Sequence, residues 1–385
     1  MILQHLSLVH FRNYQTLELA LHPQVTRIVG DNAQGKTNLL EALYYLGRGD
    51  SFRTSERHDL IAHDRGAAVI RAQAMTGGLI DQFAVEIAGR RRFLKNGKGV
   101  RRPDRTWPYC ILFAPEETLL FRTGPQHRRE YLDRLISGID PSYRNLLRNY
   151  DRVLRQRNRL LHDSMEWAQG ARACQLEPWT EQLIACGAEL VVARRSWVER
   201  LQAFLPAIYA QFAACDGEIV LHYSPHVADA ATFRAVLAAR QDEEFVRGIT
   251  VAGPQRDNLV AMVAGNDLQH FGSQGQHRSV VISLKLAEVA LVQDTSGRLP
   301  ILLLDDVASE LDPQRLAALL ETLHAMTCQI VLTTIHIGEV LQRAIPGGET
   351  VTVTGGHVAI APHDRALSAE ALDTDADRAR PAGVR

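Results

Sequence analysis

The residues that speak most directly of chemistry form one short run, Gly30-Asp31-Asn32-Ala33-Gln34-Gly35-Lys36-Thr37. It follows an apolar stretch, Val25 to Val29, and precedes Leu39, Leu40, Leu43 and Leu46, the three-and-four spacing of a helix. A glycine-rich turn between strand and helix is a phosphate cradle. Gly30 and Gly35 let backbone N–H groups curl around phosphate oxygens, and the helix N-terminus adds positive potential. On this reading Lys36 reaches the β and γ phosphates of ATP and the Thr37 hydroxyl binds Mg²⁺, with the loop residues through Asn38 contacting the nucleotide. A purely structural glycine turn is the competing explanation, and the strand-to-helix setting argues against it.

Three further groups complement the loop. Ile301 to Leu304 is a fully apolar strand that ends in Asp305-Asp306, at the C-terminal tip where α/β sheets bind ligands. Asp305 suits direct or indirect contact with Mg²⁺, and Asp306 suits orienting or deprotonating an attacking water. Paired acids also cap helices, and Asp312 before Pro313 has the form of an N-cap with proline at the first helical position. Ser273-Gln274-Gly275-Gln276 precedes an amphipathic segment, Val280 to Val292, and makes a second anion-binding helix start. Taken alone, it reads as helix capping by Ser279.

These groups need a scaffold of alternating strands and helices. Leu6, Leu8, Val9 and Phe11, then Leu17, Leu19 and Leu21, alternate as strands, and residues 69–93 read as a hairpin-rich sheet turning at Gly77-Gly78 and Asn96-Gly97. From about Gln126 to Phe212 the pattern is helical and arginine-rich, with breaks near Asp140-Pro141 and Gly170. Its heptads do not persist, which predicts a compact helical insertion instead of a long coiled-coil arm. Strand texture returns near Ile219 to Tyr223. A helix, the 299–304 strand, a helix over Pro313 to Met326 and a strand over 329–333 then follow in the order of a parallel α/β sheet. A closing hairpin is expected over 350–361, and the Ala-, Asp- and Arg-rich remainder reads as a mobile tail.

At 385 residues, 46% hydrophobic and 23% charged, the chain has the composition of a globular protein large enough for more than one domain. No apolar run reaches the roughly 18–20 residues of a membrane span, and no secretory signal is visible. Five dispersed cysteines without a CxxC pair point away from a zinc knuckle or disulfide frame and toward a reduced, cytoplasmic setting. The net charge is −1, but basic residues concentrate in two places. Residues 89–105 carry eight basic side chains and one acid, and residues 122–159 carry ten arginines and four acids. Both suggest an anionic partner. Arg90, Arg91, Arg92, Lys95 and Lys98 are candidate DNA contacts, with a solvated face as the alternative. Sparse aromatics within these runs favour backbone reading of duplex DNA over base stacking on single strands.

The order of phosphate loop, Ser-x-Gly helix start, acidic strand tip and Asp312 is that of an ABC-type ATPase head. More specifically, the chain resembles the RecF family of recombination-repair ATPases, related to SMC proteins. The matching stretches are Leu8 to Tyr14 (LVHFRNY), Gly30 to Ala42, Phe113-Ala-Pro-Glu-Glu, Arg128-Arg-Glu-Tyr-Leu-Asp133, Gly253-Pro-Gln-Arg-Asp257, Ser273 to Gln276, and Leu303 to Asp312. The resemblance implies an α/β fold: a P-loop parallel sheet plus an antiparallel β-subdomain, with an inserted helical lobe. Expected boundaries are 1–115 and 246–362 for the head, 116–245 for the lobe and 363–385 for the tail.

The same resemblance implies an ATP-dependent homodimer in which Ser273, Gly275 and Gln276 of one protomer close on ATP held by the other, with Asp312 in the D-loop. Arg12 and Asn13 would approach the nucleotide. It also implies DNA as partner (duplex, gapped or junction), RecO and RecR as co-workers, loading of RecA, and slow hydrolysis that releases the clamp. The sequence departs from the family pattern where Gln274 holds the middle signature position, where Asp306 replaces a glutamate, and where no Q-loop glutamine follows Cys110 to Pro115. His336 stands one or two places beyond a switch histidine and is open between γ-phosphate sensing and surface filling. A transporter ATPase subunit fits poorly with Phe11-Arg-Asn-Tyr14 and the helical insertion. An ATP-gated nuclease would need a second acidic cluster that the last eighty or so residues lack. An SMC-like ATPase of another DNA-maintenance process remains the alternative.

Overall fold

The computed structural model describes residues 1–101, 106–163, 169–212, 217–307, 311–338, 345 and 347–360. Arg102 and Arg105 of the basic run, Ser309 and Glu310 of the D-loop, and the expected tail lie outside the described residues. The chain divides into two compact units, 1–115 with 298–385 and 116–297. Residues 246–297, read from the sequence as part of the head, therefore pack within the second unit.

The first unit opens with β1 (Ile2–Phe11), β2 (Tyr14–Ala20), β3 (Val25–Val29), α1 (Lys36–Arg48), β4 (Ala68–Thr76), β5 (Leu79–Ile87), β6 (Arg91–Lys95), β7 (Lys98–Val100) and β8 (Cys110–Phe113). An antiparallel sheet runs β2-β1-β4-β5-β6-β7. Alternation sets its inner face: Ala68, Ile70, Ala72 and Ala74 of β4 are buried while the residues between them are not. The Gly77-Gly78 and Asn96-Gly97 turns place both residues at positive φ, as tight hairpin turns require.

The second unit holds α2 (Pro125–Ile139), α3 (Pro141–Asp163), α4 (Gln169–Phe212), β9 (Ile219–Ser224), α5 (Ala230–Ala239), α6 (Gln241–Arg247), β10 (Asn258–Val263), β11 (Asn266–Asp267), α7 (Leu268–Phe271) and α8 (Gln274–Ser296). Its strands form a small antiparallel sheet, β11-β10-β9. Within this unit α4 runs 44 residues through Pro178 and Pro206, from the break expected near Gly170 to Phe212. Leu183, Gly187, Leu190, Arg194, Trp197 and Leu201 are its buried seam, at heptad-like spacing. Glycine and arginine at two of those positions conceal the seam from a hydrophobic reading.

The Arg194 position is filled by charge pairing. Its guanidinium, 2% exposed as a residue, bonds Asp133 Oδ2 at 2.9 Å, Asp257 Oδ2 at 2.8 Å and the Pro254 carbonyl at 2.8 Å. Burial opposes the cation, but the facing Asp133 carboxylate holds its pKa well above the ordinary arginine value. Asp257 also accepts from the His226 N–H at 2.8 Å and from the Tyr223 hydroxyl. Gly253 sits at φ 127°, where a Cβ would meet the Tyr150 hydroxyl at 2.6 Å and Phe233 at 2.7 Å. Within this unit, Gly253 and Asp257 of the Gly-Pro-x-Arg-Asp motif thus serve packing and charge pairing.

The chain returns to the first unit with β12 (Ile301–Leu304), α9 (Pro313–Ala325), β13 (Ile330–Thr334), β14 (Glu349–Thr354) and β15 (His357–Ile360). The second sheet runs β15-β14-β3-β13-β12-β8, parallel except for the β15 edge. Helix α1 shares one core with both sheets: Leu39, Leu40, Leu43 and Leu46 cluster with Leu6, Leu8, Phe83 and Val85 and with Ile28, Leu112, Leu303 and Val331. A helix buried between two sheets must be apolar on several sides, as this one is. No helix of the described residues is long and apolar enough to cross a membrane.

Candidate nucleotide site

The β3–α1 loop crosses the C-terminal edge of the parallel sheet. Gly35 takes φ 110° and Ala33 φ 63°, so the backbone coils before the helix begins. A Cβ on Gly35 would meet the Asn13 side chain at 2.5 Å and the Tyr14 hydroxyl at 2.8 Å, and one on Gly30 would collide with the Val353 carbonyl. Glycine is needed at both places by close approach. Helix α1 has no side-chain cap and no acid in its first turn. Its leading N–H groups are therefore suited to an anion. Lys36 is buried, and its ammonium donates to the carbonyls of Gly30 at 2.6 Å and Asp31 at 2.8 Å. The cation is thus tethered across its own loop.

The acidic strand tip meets this loop. Thr37 Oγ1 lies 3.0 Å from Asp305 Oδ1, and the same oxygen accepts from Thr333 Oγ1 at 2.7 Å. Thr333 Oγ1 in turn accepts from the Asp306 N–H at 3.0 Å. Asp306 has φ 46°, a left-handed conformation that non-glycine residues seldom adopt. The threonine of β13 therefore fixes both acids, joining loop, β12 and β13 in one chain of bonds. A threonine hydroxyl and a carboxylate are hard oxygen donors, and the described residues hold no cluster of three His, Cys, Asp or Glu. This sparse oxygen set fits Mg²⁺, which keeps waters and substrate phosphates among its ligands.

The β1–β2 turn braces the loop from the other sheet. Arg12, at φ 52°, makes a two-pronged bond to Glu41, with Nε at 2.8 Å and Nη2 at 2.7 Å. Glu41 is fully buried on α1 and also accepts from Ser51 Oγ at 2.5 Å, with Arg53 at 3.8 Å. Asn13 accepts from Asn38 Nδ2 at 2.8 Å and reaches the Gln34 carbonyl at 3.4 Å, while the Tyr14 hydroxyl donates to the Gly35 carbonyl at 3.0 Å. Burial raises the Tyr14 pKa well above its ordinary value, so the phenol stays a donor. From the far side the β14–β15 turn contributes Gly355 N–H to Gln34 Oε1 at 2.6 Å. Glu41, Ser51, Arg53, Tyr14, Thr333 and Gly355 are participants that sequence reasoning missed. Glu41 alone carried a signal, a charge on the buried helix beside its leucines.

Other expected residues sit elsewhere. Ser273 is the N-cap of α8 in a capping box: its Oγ accepts from Gln276 N–H at 3.1 Å and its N–H donates to Gln276 Oε1 at 2.9 Å. The helix begins at Gln274, so Ser279 is an interior residue and not the cap expected in isolation. Ser273 itself is exposed, and Gly275 lies in the first turn. Asp312 caps α9, accepting from Arg315 N–H at 3.0 Å, a bond that together with the Arg315 side chain holds its pKa below the usual range. His336 is exposed past β13, its carbonyl accepting from Thr334 Oγ1 at 2.8 Å. Of the basic run, Arg91 and Lys95 flank inward-facing Phe93 on one side of β6 while Arg92 belongs to the other. Arg92 pairs with Glu86 at 3.1 Å and Lys95 with Asp81 at 3.0 Å. Arg90 and Lys98 are exposed.

A parallel sheet with a phosphate loop, an acidic strand tip and an antiparallel sheet sharing the loop's helix define an ABC-type ATPase head of the SMC kind. The chain matches the model of the RecF/RecN/SMC N-terminal domain family over residues 2–83. It is 36% identical over 348 residues to the DNA replication and repair protein RecF of Heliobacterium modesticaldum, covering 88% of this chain and 93% of that one. It is 35% identical to that of Bacillus subtilis, covering 87% and 93%. Among solved structures it is similar to the recombination mediator protein RecF with ATP, of the RecFOR pathway, with TM-score 0.84, 26% identity, and coverage of 94% and 97%. The Smc head of Pyrococcus furiosus shares the fold, with TM-score 0.53, 14% identity and coverage of 97% and 99%. The chain belongs to the RecF family.

Proposed function

We propose that this protein is an ATP-dependent DNA-binding protein of recombinational repair and replication restart. Its heads dimerise on ATP, clamp DNA at gaps or single/double-strand junctions, and help load RecA with RecO and RecR. The names of the relatives and the RecFOR description of the similar structure support this reading, which places the protein in the cytoplasm beside the nucleoid. The observation that carries the nucleotide role is the bonded chain Thr37–Asp305–Thr333–Asp306 beside tethered Lys36.

In this reading Lys36 exchanges its loop carbonyls for the β and γ phosphates, and the N–H groups from Asp31 to Thr37 enclose them. Thr37 and Asp305 hold Mg²⁺, which would neutralise phosphate charge. Asp306, fixed by its N–H bond to Thr333, orients the attacking water and draws its proton. The aspartate is one methylene shorter than glutamate, consistent with slow hydrolysis that acts as a switch. Ser273, Gly275 and Gln276 close on the partner's nucleotide, with Asp312 nearby. Arg12, braced by Glu41, and Asn13, bonded to Asn38, approach the nucleotide beside the loop that they position.

The test is binding to gapped duplex DNA with ATP, with ADP and without nucleotide, at two salt concentrations. Tight binding only with ATP, lost in Lys36→Met, is expected. Asp306→Asn should retain the dimer and slow hydrolysis. Equal binding in all three nucleotide states would overturn the nucleotide-gated clamp.

A further inference from the structure

Ten arginines lie between residues 122 and 159, and two sets among them differ sharply in their surroundings. Several are internal fasteners. Arg128 bonds Asn258, Gln269 and the Thr123 carbonyl, Arg157 bonds Glu244 and Thr250, and Arg144 bonds the Ser137 carbonyl. Four others, Arg148, Arg152, Arg155 and Arg159, are exposed on α3. Their spacing of four, three and four sets them on one face of the helix. The opposite face carries the buried residues Tyr143, Tyr150, Val153, Arg157 and Leu161.

The exposed four are held by neutral groups with one exception. Arg148 bonds Asn145 Oδ1 at 2.6 Å, Arg152 bonds Asn149 Oδ1 at 2.9 Å, and Arg155 bonds the Asp151 carbonyl at 3.2 Å. Arg159 lies 3.6 Å from Asp163. Asp151, three residues after Arg148 and four before Arg155, and Asp163, four after Arg159, share this side of the helix, so the stripe sets four cations against two carboxylates. The 90–98 run differs: its side chains divide between the faces of β6, and two are paired with acids.

We infer that the α3 stripe of Arg148, Arg152, Arg155 and Arg159 docks on the phosphate backbone of duplex DNA. The inference rests on the DNA-binding reading above and names the surface that carries it. From Arg148 to Arg159 the helix rises about 16 Å at 1.5 Å per residue. Each strand of a duplex presents a phosphate about every 3.4 Å of axis, so the stripe faces roughly five phosphates of one strand with four guanidinium groups. The Asn145 and Asn149 bonds pre-orient two of those groups and reduce the side-chain ordering that binding would otherwise require. The helix's aromatic residues, Tyr143 and Tyr150, are both on the buried face, so the stripe reads charge and not bases.

The experiment measures the salt dependence of binding to a blunt duplex in the presence of ATP. It compares the full-length protein, a quadruple variant (Arg148→Gln, Arg152→Gln, Arg155→Gln, Arg159→Gln) and the same four positions changed to Lys. Each phosphate contact contributes about 0.9 to the slope of log affinity against log salt, so the Gln variant should lose about 3.6. Between 50 and 200 mM salt, its affinity should fall about 150-fold less than that of the parent. ATP affinity should be unchanged, and the Lys variant should recover most of the slope. A Gln variant that is folded by circular dichroism, binds ATP and keeps the parental slope would overturn the inference alone. A parent protein without salt-sensitive duplex binding would overturn both this inference and the clamp reading.

Discussion

Replacing Thr333 with valine tests the site most sharply, because the change keeps the shape and removes one oxygen. That hydroxyl is 2% exposed as part of its residue, donates to Asp305 at 2.7 Å and accepts from the Asp306 N–H at 3.0 Å. A hydrogen bond to a charged group contributes about 1.5–3 kcal/mol, and a neutral one about 0.5–1.5 kcal/mol. The local loss is then roughly 2–4 kcal/mol, against about 1–3 kcal/mol stored in a strained backbone such as Asp306 at φ 46°. The strain and the lost bonds are comparable, so Asp306 should leave its left-handed conformation in a large share of molecules. Misplacement of a group that orients water reduces turnover on the order of 100-fold. Single-turnover hydrolysis with a fluorescent nucleotide reads this directly, with ATP affinity changing far less than the rate. Thr333→Ser, which restores the hydroxyl, should recover most of the rate. A valine variant hydrolysing within twofold of the parent would refute the role given to Thr333 and the water-orienting role of Asp306 together.

Other consequences are equally specific. Arg12→Ala removes two bonds from buried Glu41 but leaves Ser51 and Arg53, so the loss should sit below the ~3–5 kcal/mol of a fully broken buried pair, at about 2–3 kcal/mol. A double-mutant cycle with Glu41→Gln that gives negligible coupling would contradict the pairing. Gly253→Ala should destabilise the second unit by at least ~2 kcal/mol, since φ 127° and three contacts under 3 Å leave a methyl no room. Limited proteolysis of that unit would reveal the loss. His277 is buried, and burial, then the nearby Arg122 charge, lowers its pKa. The folded state therefore holds it neutral while the unfolded chain takes up a proton near pH 6.5. Its contribution is fully present above about pH 6.5 and lost as pH falls toward the folded pKa, with a slope of at most ~1.4 kcal/mol per pH unit. The fall in thermal midpoint between pH 7 and pH 5.5 should be smaller in His277→Gln, and an identical fall would exclude the histidine as its source.

Much of this molecule can be read from local pattern. The phosphate loop is continuous in sequence, and its glycines, lysine and threonine occupy positions fixed by a single turn between strand and helix. The fully apolar Ile301 to Leu304 ending in two acids likewise announces a buried parallel strand with its acidic tip at the sheet's C-terminal edge. Alternation in β1, β2 and β4 and the paired turn residues identified the antiparallel sheet, because period-two burial and positive-φ turns are local properties.

What local pattern could not supply is which distant residues share a bond. Thr333 looked like the end of an apolar strand until β13 was set between β3 and β12, which brings its hydroxyl between Asp305 and Asp306. Glu41 stood out in sequence only as a charge beside the leucines of a helix, and its partner became visible once two sheets closed over α1 and left Arg12 as its main charged neighbour. The arginines of 122–159 form one uniform run in sequence. Burial alone divides them, turning Arg128 and Arg157 inward against polar partners and leaving Arg148, Arg152, Arg155 and Arg159 on one face. Sequence determined the elements and their chemistry, since those depend on neighbours within a turn or a strand. Tertiary structure decided partnership and exposure, since both depend on long-range packing that brings together residues as distant as Thr37 and Asp305.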